Sequence, residues 1–189
     1  ARVEEYAKFK LGCIDCVVCT SLLRRYGKGS SRSDVPLHFD EYALATAIVS
    51  LDPAAGFEGG LVVQSTPGSK RFLAELEQGD MLFHSYDLLH GVDVRAGARR
   101  SLIMWISSDA ASCASASTPW KERNARHGDM HAQFQLSRTL LLEGNSSAAR
   151  MRGLHWLKES AHRGHATAQL NWGLEQMKLG HVQSARRWW

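Results

Sequence analysis

Short apolar runs separated by turn residues fill the chain from residue 16 to residue 106. The runs are, in order, residues 17–26, 42–51, 61–64, 71–76, 81–84, 91–95 and 101–106. Glycine, proline and aspartate lie between them, and the gaps are too short for crossover helices. Short strands at close, regular spacing are typical of antiparallel β-sandwiches and barrels. The pattern therefore predicts an all-β unit over this part of the chain.

The second part of the chain, after residue 120, has a helical pattern that repeats. Ala132, Leu136 and Leu140 fall on one helical face. Four positions recur 36 residues later: Gly128, Ala132, Gln133 and Gly144 correspond to Gly164, Ala168, Gln169 and Gly180. A fixed period of this length with paired helices is typical of an α-solenoid. Two copies are few for such an array, so we expect them to dock on the β unit or to begin a longer array.

The stretch between these two patterns, residues 110–120, is rich in alanine and serine and has no apolar period. Such composition is typical of a linker. We therefore predict three parts: a β domain over 1–109, a linker over 110–120 and helical repeats over 121–189. The predicted fold class is α+β multidomain.

His38, Asp40 and His90 are the candidate metal ligands. Alternate residues of an extended strand point to one side, so an H-x-D pair places an imidazole and a carboxylate together. Two histidines and one carboxylate form the facial triad of non-haem Fe(II) oxygenases, which leaves three coordination positions open. An H-x-D pair alone occurs by chance in many proteins. The later histidine, and the Arg-x-Ser that follows it, argue against chance here.

Arg99 and Arg100 are the candidates for holding an anionic co-substrate. An arginine on a strand that faces the metal offers a planar fork to a carboxylate, and a neighbouring hydroxyl can assist it. Arg99 shares a strand face with Ser101, whereas Arg100 points the other way. The spacing from His90 does not separate the two arginines. The pairing with Ser101 favours Arg99.

The order of short motifs resembles the Fe(II)/2-oxoglutarate-dependent dioxygenases, and the prolyl 4-hydroxylase-like branch most of all. The motifs lie at residues 22–26, 35–40, 57–61, 79–84, 90–92 and 97–99, so the resemblance covers residues 16–106. It implies a double-stranded β-helix, or jelly roll, in which His38, Asp40 and His90 bind iron and form the catalytic centre. The interval from His90 to Arg99 is one residue shorter than is usual in the family, which keeps Arg100 under consideration.

The same resemblance implies the other components of the reaction. Arg99 and Ser101 would hold 2-oxoglutarate as co-substrate, with Tyr26 lining its pocket and ascorbate as a reductant. The product would be a hydroxylated substrate of unknown identity, with peptidyl proline as one candidate. The family's N-terminal helices and first strands are largely missing from the sequence pattern. We therefore expect the β domain to be incomplete at its N-terminal side.

Residues 128–180 resemble Sel1-like repeats, which are relatives of the tetratricopeptide class. The matching stretches are 132–134, 156–161, 164–166 and 168–170. The resemblance implies a scaffold that binds a protein partner. An alternative function is therefore a catalytically inactive β domain that acts through these repeats. A zinc hydrolase with the same three ligands is a further alternative, but it gives no role to Arg99 and Ser101.

Cys13, Cys16 and Cys19 have a spacing that can hold zinc or an iron–sulfur cluster. The fourth cysteine, Cys113, is distant, and no Cys-Pro pair follows. We therefore expect free cysteines packed in the core beside a strand. Nothing in this cysteine usage demands an oxidising compartment, so an intracellular location is favoured.

The remaining composition narrows the choice of partners. No apolar run approaches the roughly 18 residues that a membrane span needs. The formal net charge of +4 comes without a dense block of lysine and arginine, so neither a membrane nor a nucleic acid is expected as a partner. The chain begins with Ala1 rather than methionine. We expect any targeting signal to be missing from it.

Overall fold

The computed structural model describes residues 2–64, 69–115 and 118–188, which divide into two units at Thr118 and Pro119. In the first unit the described elements are α1 (Arg2–Leu11), β1 (Val17–Gly27), β2 (Asp34–His38), β3 (Ala45–Ser50), β4 (Phe57–Gln64), β5 (Phe72–Ala74), β6 (Met81–Ser85), β7 (Leu89–Ser107) and α2 (Ala110–Ser115), with one turn of 3-10 helix at Ala54–Gly56. In the second unit they are α3 (Pro119–Arg126), α4 (Met130–Leu142), α5 (Ser147–His162), α6 (Ala166–Lys178) and α7 (Val182–Arg186).

The strands form two curled antiparallel sheets that share the long strand β7. The first half of β7 pairs with β2 and β4, and β4 pairs with β5. The second half pairs with β1 and β3, and β3 pairs with β6. This arrangement is consistent with the predicted jelly roll. The two strands that the sequence pattern predicts at 91–95 and 101–106 are the two halves of this single 19-residue strand.

Gly97 allows β7 to pass from one sheet to the other. It pairs with Phe57 in one sheet, and its neighbour Ala98 pairs with Gly27 in the other. Its φ of 73° lies in the left-handed region that side chains disfavour. A Cβ at this position would also overlap the backbone at Gly56 and Phe57. A glycine is therefore required at the point where the strand changes sheet.

The core of the first unit lies between the two layers of strands. Inward positions of four strands supply it: Tyr26, Ile48, Leu61, Val63, Val92 and Val94. Leu61 and Val63 are two apart on β4, as the alternation of a half-buried strand requires. Burying an aliphatic side chain of this size contributes about 1.5–3 kcal/mol. This core fixes the separation of the sheets and therefore the positions of the side chains in the pocket between them.

All four cysteines are paired, so the expectation of free cysteines is wrong. Cys13 bonds to Cys16, and Cys19 on β1 bonds to Cys113 on α2. The second pair joins residues 94 positions apart, a proximity that only the folded chain creates. Disulfides persist mainly in oxidising compartments. The pairing therefore removes the support that cysteine usage gave to an intracellular location.

The stretch predicted to be a linker is largely helical. It contains α2 and the beginning of α3, while residues 116 and 117 lie outside the described residues. The carboxylate of Asp109 accepts a hydrogen bond of 2.6 Å from the backbone N–H of Ser112 and so caps α2. Alanine has the highest intrinsic helix propensity. The composition of residues 110–115 is therefore that of a short capped helix as much as that of a linker.

The second unit is built from paired helices, and its core contains small residues. Leu157, Ala161 and Ala168 are buried, and Phe134, Leu141, Trp172 and Trp188 pack against them. Gly128 and Gly164 have nearly equal φ values of 91° and 92°, and each precedes the N-cap residue of a helix. The 36-residue period is thus visible in the backbone. Among the described residues, no helix combines the length and the apolar character that a membrane span requires.

His165 caps α6 and makes the second unit sensitive to acid. Its Nδ1 accepts a hydrogen bond of 3.2 Å from the N–H of Ala168, and its ring stacks on Phe134. Burial, and then the nearby His131, lower the pKa of His165 from 6.5 to about 4. Between these values the unfolded chain binds a proton that the folded chain does not bind. The stability of the unit therefore falls as the pH falls from 6.5 towards 4, by at most about 3 kcal/mol.

We expect the His165→Asn variant to lose this acid sensitivity, because asparagine caps a helix without titrating. Urea unfolding, followed by far-ultraviolet circular dichroism at neutral and at mildly acidic pH, measures the difference. The exposed His127 provides the control, since His127→Asn should leave the acid sensitivity of the wild type unchanged. Equal acid sensitivity in the wild type and in His165→Asn would contradict this account.

Candidate metal centre and the adjoining pocket

Two histidines and one aspartate come together on the first unit. β2 ends at His38, which pairs across the ladder with His90, the second residue of β7. Asp40 lies two residues beyond His38, after the strand has ended. Its Oδ1 is 3.6 Å from His38 Nε2, and its Oδ2 is 3.6 Å from His90 Nε2.

One cation can be held by these three side chains. Their ligand atoms all lie within 4.8 Å of one another. Atoms that bind one first-row cation at about 2.1 Å and at right angles lie roughly 3 Å apart. Small side-chain movements would therefore bring the three donors into coordination. The sequence prediction placed these same residues around one metal.

Both imidazole rings are held with Nε2 towards the carboxylate. His38 Nδ1 is 2.8 Å from the carbonyl oxygen of Pro36, and His90 Nδ1 is 3.0 Å from that of Leu88. A carbonyl oxygen only accepts, so each Nδ1 carries a proton and a neutral ring keeps its lone pair on Nε2. Burial, followed by the nearby His84, lowers the pKa of His90 to about 4. His90 is therefore neutral at pH 7 and able to bind a metal.

Asp40 is oriented by Thr46, a fully buried residue of β3. The hydroxyl of Thr46 donates a hydrogen bond of 2.5 Å to Asp40 Oδ2. The backbone N–H of Ala43 donates to the carbonyl oxygen of Asp40 and closes the turn that follows. Such contacts fix the direction of a carboxylate that lies outside regular secondary structure.

His84 lies next to this cluster without belonging to it. Its ring centroid is 4.5 Å from that of His90, and its Nδ1 is 2.8 Å from the carbonyl oxygen of Ser85. Burial lowers the pKa of His84, so the ring is neutral. From the sequence, His84 is expected to be a partly buried residue at the end of a strand. It is buried at the end of β6, where it packs against a candidate metal ligand.

An inner pocket of about 190 Å³ adjoins the cluster. All three candidate ligands line it, and so do Arg99 and Ser101. Arg99 is only 2% exposed, and within the part of the chain that the structure describes neither of its terminal nitrogens has a hydrogen-bond partner. The hydroxyl of Ser101 is buried and unpaired in the same way. A buried, unpaired guanidinium is costly. An anionic ligand in this pocket would remove that cost.

Tyr26 also lines the inner pocket, as the resemblance implies. It is buried and pairs with Arg99 across the ladder. Burial raises the pKa of Tyr26, against the opposing effect of Arg24, Arg99 and Arg32. The phenol is therefore protonated at neutral pH and can donate a hydrogen bond to an anion.

Arg100 is directed away from the pocket, into an ion pair with Asp52. Its Nη2 is 2.6 Å from Asp52 Oδ1, and its backbone N–H also donates to that carboxylate. The hydrogen bond from the Arg100 side chain is the main reason that the pKa of Asp52 is lowered. The structure thus places Arg99 and Arg100 on opposite faces of β7. Of these two arginines, Arg99 lines the inner pocket and Arg100 does not.

An outer groove of about 730 Å³ shares His38, Asp40 and Trp105 with the inner pocket. Its remaining lining is mainly apolar and includes Leu37, Phe39, Tyr42 and Leu89. No lysine or arginine contributes to the described lining, whereas three arginines line the inner pocket. The two cavities on either side of the shared residues therefore differ in charge.

The sequence pattern did not single out several residues of the inner pocket, among them Arg24 and Trp105. Leu22, Arg24 and Tyr26 are alternate residues of β1, and all three line the pocket. Tyr26 was expected to face the pocket, and the period of two along a strand then places Arg24 on the same side. Trp105 likewise lies on the same face of β7 as Arg99 and Ser101. The alternation of side chains along β1 and β7 could therefore have identified Arg24 and Trp105 from the sequence.

No family model and no curated protein matches this chain. Solved structures do resemble it, and the structural neighbours include members of the 2OG-Fe(II) oxygenase family. An oxidoreductase of that family from Burkholderia pseudomallei has a TM-score of 0.48 and 23% sequence identity, over 57% of this chain and 53% of that chain. The non-heme alpha ketoglutarate dependent epimerase SnoN, from nogalamycin biosynthesis, has a TM-score of 0.48 and 17% identity, over 58% and 53%.

A prolyl hydroxylase from Trichoplax adhaerens, in complex with a hypoxia inducible factor peptide fragment, has a TM-score of 0.42 and 16% identity. The matched region covers 52% of this chain and 47% of that chain. The chain thus spans about half the length of each of these three structures. Likeness at this level carries no functional conclusion, so the function is inferred from the residues of the site itself.

Proposed function

We propose that the first unit is a non-haem Fe(II)- and 2-oxoglutarate-dependent oxygenase that hydroxylates its substrate. One observation carries the proposal. Three candidate metal ligands line the same pocket as a buried guanidinium, whose terminal nitrogens have no hydrogen-bond partner among the residues that the structure describes. A metal site alone would leave the charge of Arg99 unexplained, and an anion site alone would leave the oriented imidazoles unexplained.

The donor set supports iron as the metal. Two neutral imidazoles and one carboxylate, with coordination positions left open, are the ligands that Fe(II) oxygenases use. His38, Asp40 and His90 would hold the ion, and the backbone carbonyls behind the two histidines fix their tautomers. When bound, iron supplies the activation of oxygen. The protein orients the ligands.

The inner pocket supports a dicarboxylate as co-substrate. Arg99, with Ser101 beside it and Tyr26 paired opposite it, offers several donors to one carboxylate. The keto acid at the other end of 2-oxoglutarate is suited to bind the metal. In the proposed reaction, one substrate, one 2-oxoglutarate and one oxygen molecule give hydroxylated substrate, succinate and carbon dioxide. Ascorbate is proposed as the reductant that keeps the iron in its divalent state.

The outer groove is the proposed site of the primary substrate. It reaches His38 and Asp40 from the side where no arginine contributes to the described lining. Phe39, Tyr42 and Trp105 offer aromatic surface to an apolar group. These features favour an uncharged substrate over an anionic one. Peptidyl proline fits this description and remains our candidate.

Succinate release tests the proposed activity. We expect the wild-type chain, supplied with Fe(II), 2-oxoglutarate, ascorbate and oxygen, to form succinate and to form more of it with a suitable peptide. Iron-dependent succinate formation would exclude both the zinc hydrolase and an inactive scaffold. A folded chain that binds neither Fe(II) nor 2-oxoglutarate would overturn the proposal and would favour the scaffold.

For the second unit we propose a role in binding a protein partner. Its paired helices, with small buried residues between them, support a scaffold of repeated helices. Leu142, Leu174 and Lys178 border a groove of about 430 Å³ on this unit. The assignment to Sel1-like repeats rests on the sequence resemblance alone.

A further inference from the structure

Arg24 is a charged residue of the inner pocket to which the proposed reaction has so far given no role. β1 alternates, so Leu22, Arg24 and Tyr26 line the pocket. Arg25, between the last two, is exposed on the other face. Across the ladder Arg24 pairs with Ser101, just as Tyr26 pairs with Arg99. Arg24 therefore lies on the wall that carries the anion-binding side chains.

The strand register places Arg24 closer to the metal ligands than Tyr26. Continuing along β1 in the same direction leads to Thr20, which pairs with Trp105. Trp105 also pairs with Thr46, whose hydroxyl bonds to Asp40. Two residues of a strand span about 7 Å. Arg24 thus lies two residues along β1 from Tyr26, which marks the Arg99 end of the pocket, in the direction of the metal ligands.

The charges of the pocket are unbalanced in favour of an anion with two acidic ends. Arg24, Arg32 and Arg99 all line the pocket, and the carboxylate on its described wall is the candidate ligand Asp40. Within the described residues, the side chain of Arg24 forms no ion pair, although it is half-buried. One carboxylate would occupy Arg99. A second anionic group, nearer to the metal, would offset the charge of Arg24.

We propose that Arg24 is a positioning residue that binds the carboxylate of the 2-oxoacid end of the co-substrate, next to the metal. The inner pocket then recognises both ends of 2-oxoglutarate, with Arg99 at one end and Arg24 at the other. This assignment rests on the proposed function. It sets the orientation in which the keto acid approaches the metal.

Two ligands distinguish the proposed role of Arg24 from that of Arg99. 2-Oxobutyrate has the same keto acid end as 2-oxoglutarate and lacks the distal carboxylate. Calorimetric titration of the Mn(II)-loaded chain gives the affinity for each ligand without turnover. We expect Arg24→Gln to weaken both ligands by about 10-fold or more, because each loses a charged hydrogen bond. Arg99→Gln should weaken 2-oxoglutarate alone.

Arg25→Gln is the matched control, since it removes the adjacent guanidinium from the outer face and should change neither affinity. Arg24→Lys, which keeps the charge, should recover part of the binding. The assignment is overturned if Arg24→Gln weakens 2-oxoglutarate alone or weakens neither ligand while the variant melts like the wild type. If the wild type binds neither 2-oxoacid and forms no succinate, the proposed function fails, and the assignment of Arg24 fails with it.

Discussion

Asp40→Asn is expected to abolish succinate formation and to weaken binding of Fe(II) by more than about 100-fold. Asparagine has nearly the same shape as aspartate and can still accept a hydrogen bond from Thr46. It lacks the negative charge that two neutral imidazoles cannot supply. His38→Ala should also abolish turnover, because it removes one of the three donors. Anaerobic titration with Fe(II), together with a succinate assay, measures both effects.

Two further variants make the result specific to the site. Asp34→Asn removes a similar charge from the exposed start of β2 and should leave metal binding and turnover unchanged. Thr46→Val removes only the hydroxyl that orients Asp40. We expect an intermediate loss of metal affinity, about 10- to 100-fold. If Asp40→Asn bound iron as tightly as the wild type, these side chains would not form the metal site.

The predicted elements that depend on local pattern agree with the structure. Strands β1, β3 and β6 coincide with apolar runs that end at turn residues, because alternation and turn chemistry act over a few residues. The run at 61–64 is only the second half of β4, which begins at Phe57. The single strand β7 was predicted as two. Its halves belong to different sheets, and the positive φ at Gly97 that joins them has meaning only in the context of both partners.

Contacts between distant parts of the chain account for the remaining differences. The sequence spacing of the cysteines suggested free thiols, because nothing local brings Cys113 to Cys19. Arg99 and Arg100 are adjacent, and Asp52, which binds Arg100, lies 48 positions away. The position of His38 opposite His90 likewise depends on the register of β2 with β7. The donor types were evident from the sequence, whereas the depth and direction of each side chain were not.

Arg99→Gln is expected to lower the affinity for 2-oxoglutarate by roughly 100-fold, because it removes a buried charge that can bind a carboxylate through two hydrogen bonds. Metal binding should be unchanged, since Arg99 is not among the three candidate ligands. Calorimetric titration of 2-oxoglutarate into the Mn(II)-loaded chain measures the loss. Arg100→Gln is the matched control. It breaks an exposed ion pair, and we expect little change in stability and no change in affinity.

Arg99→Gln should not lower the stability of the chain, although it lowers the affinity for 2-oxoglutarate. The Arg99 guanidinium is buried without a hydrogen-bond partner among the described residues, so replacing it with glutamine should leave the melting temperature of the ligand-free chain unchanged or raise it. 2-Oxoglutarate should raise the melting temperature of the wild type and have little effect on the variant, because only the wild type binds it tightly. A residue that merely supported the fold would show the reverse: a lower melting temperature without ligand and an undiminished shift with it. That result would remove Arg99 from the proposed co-substrate site.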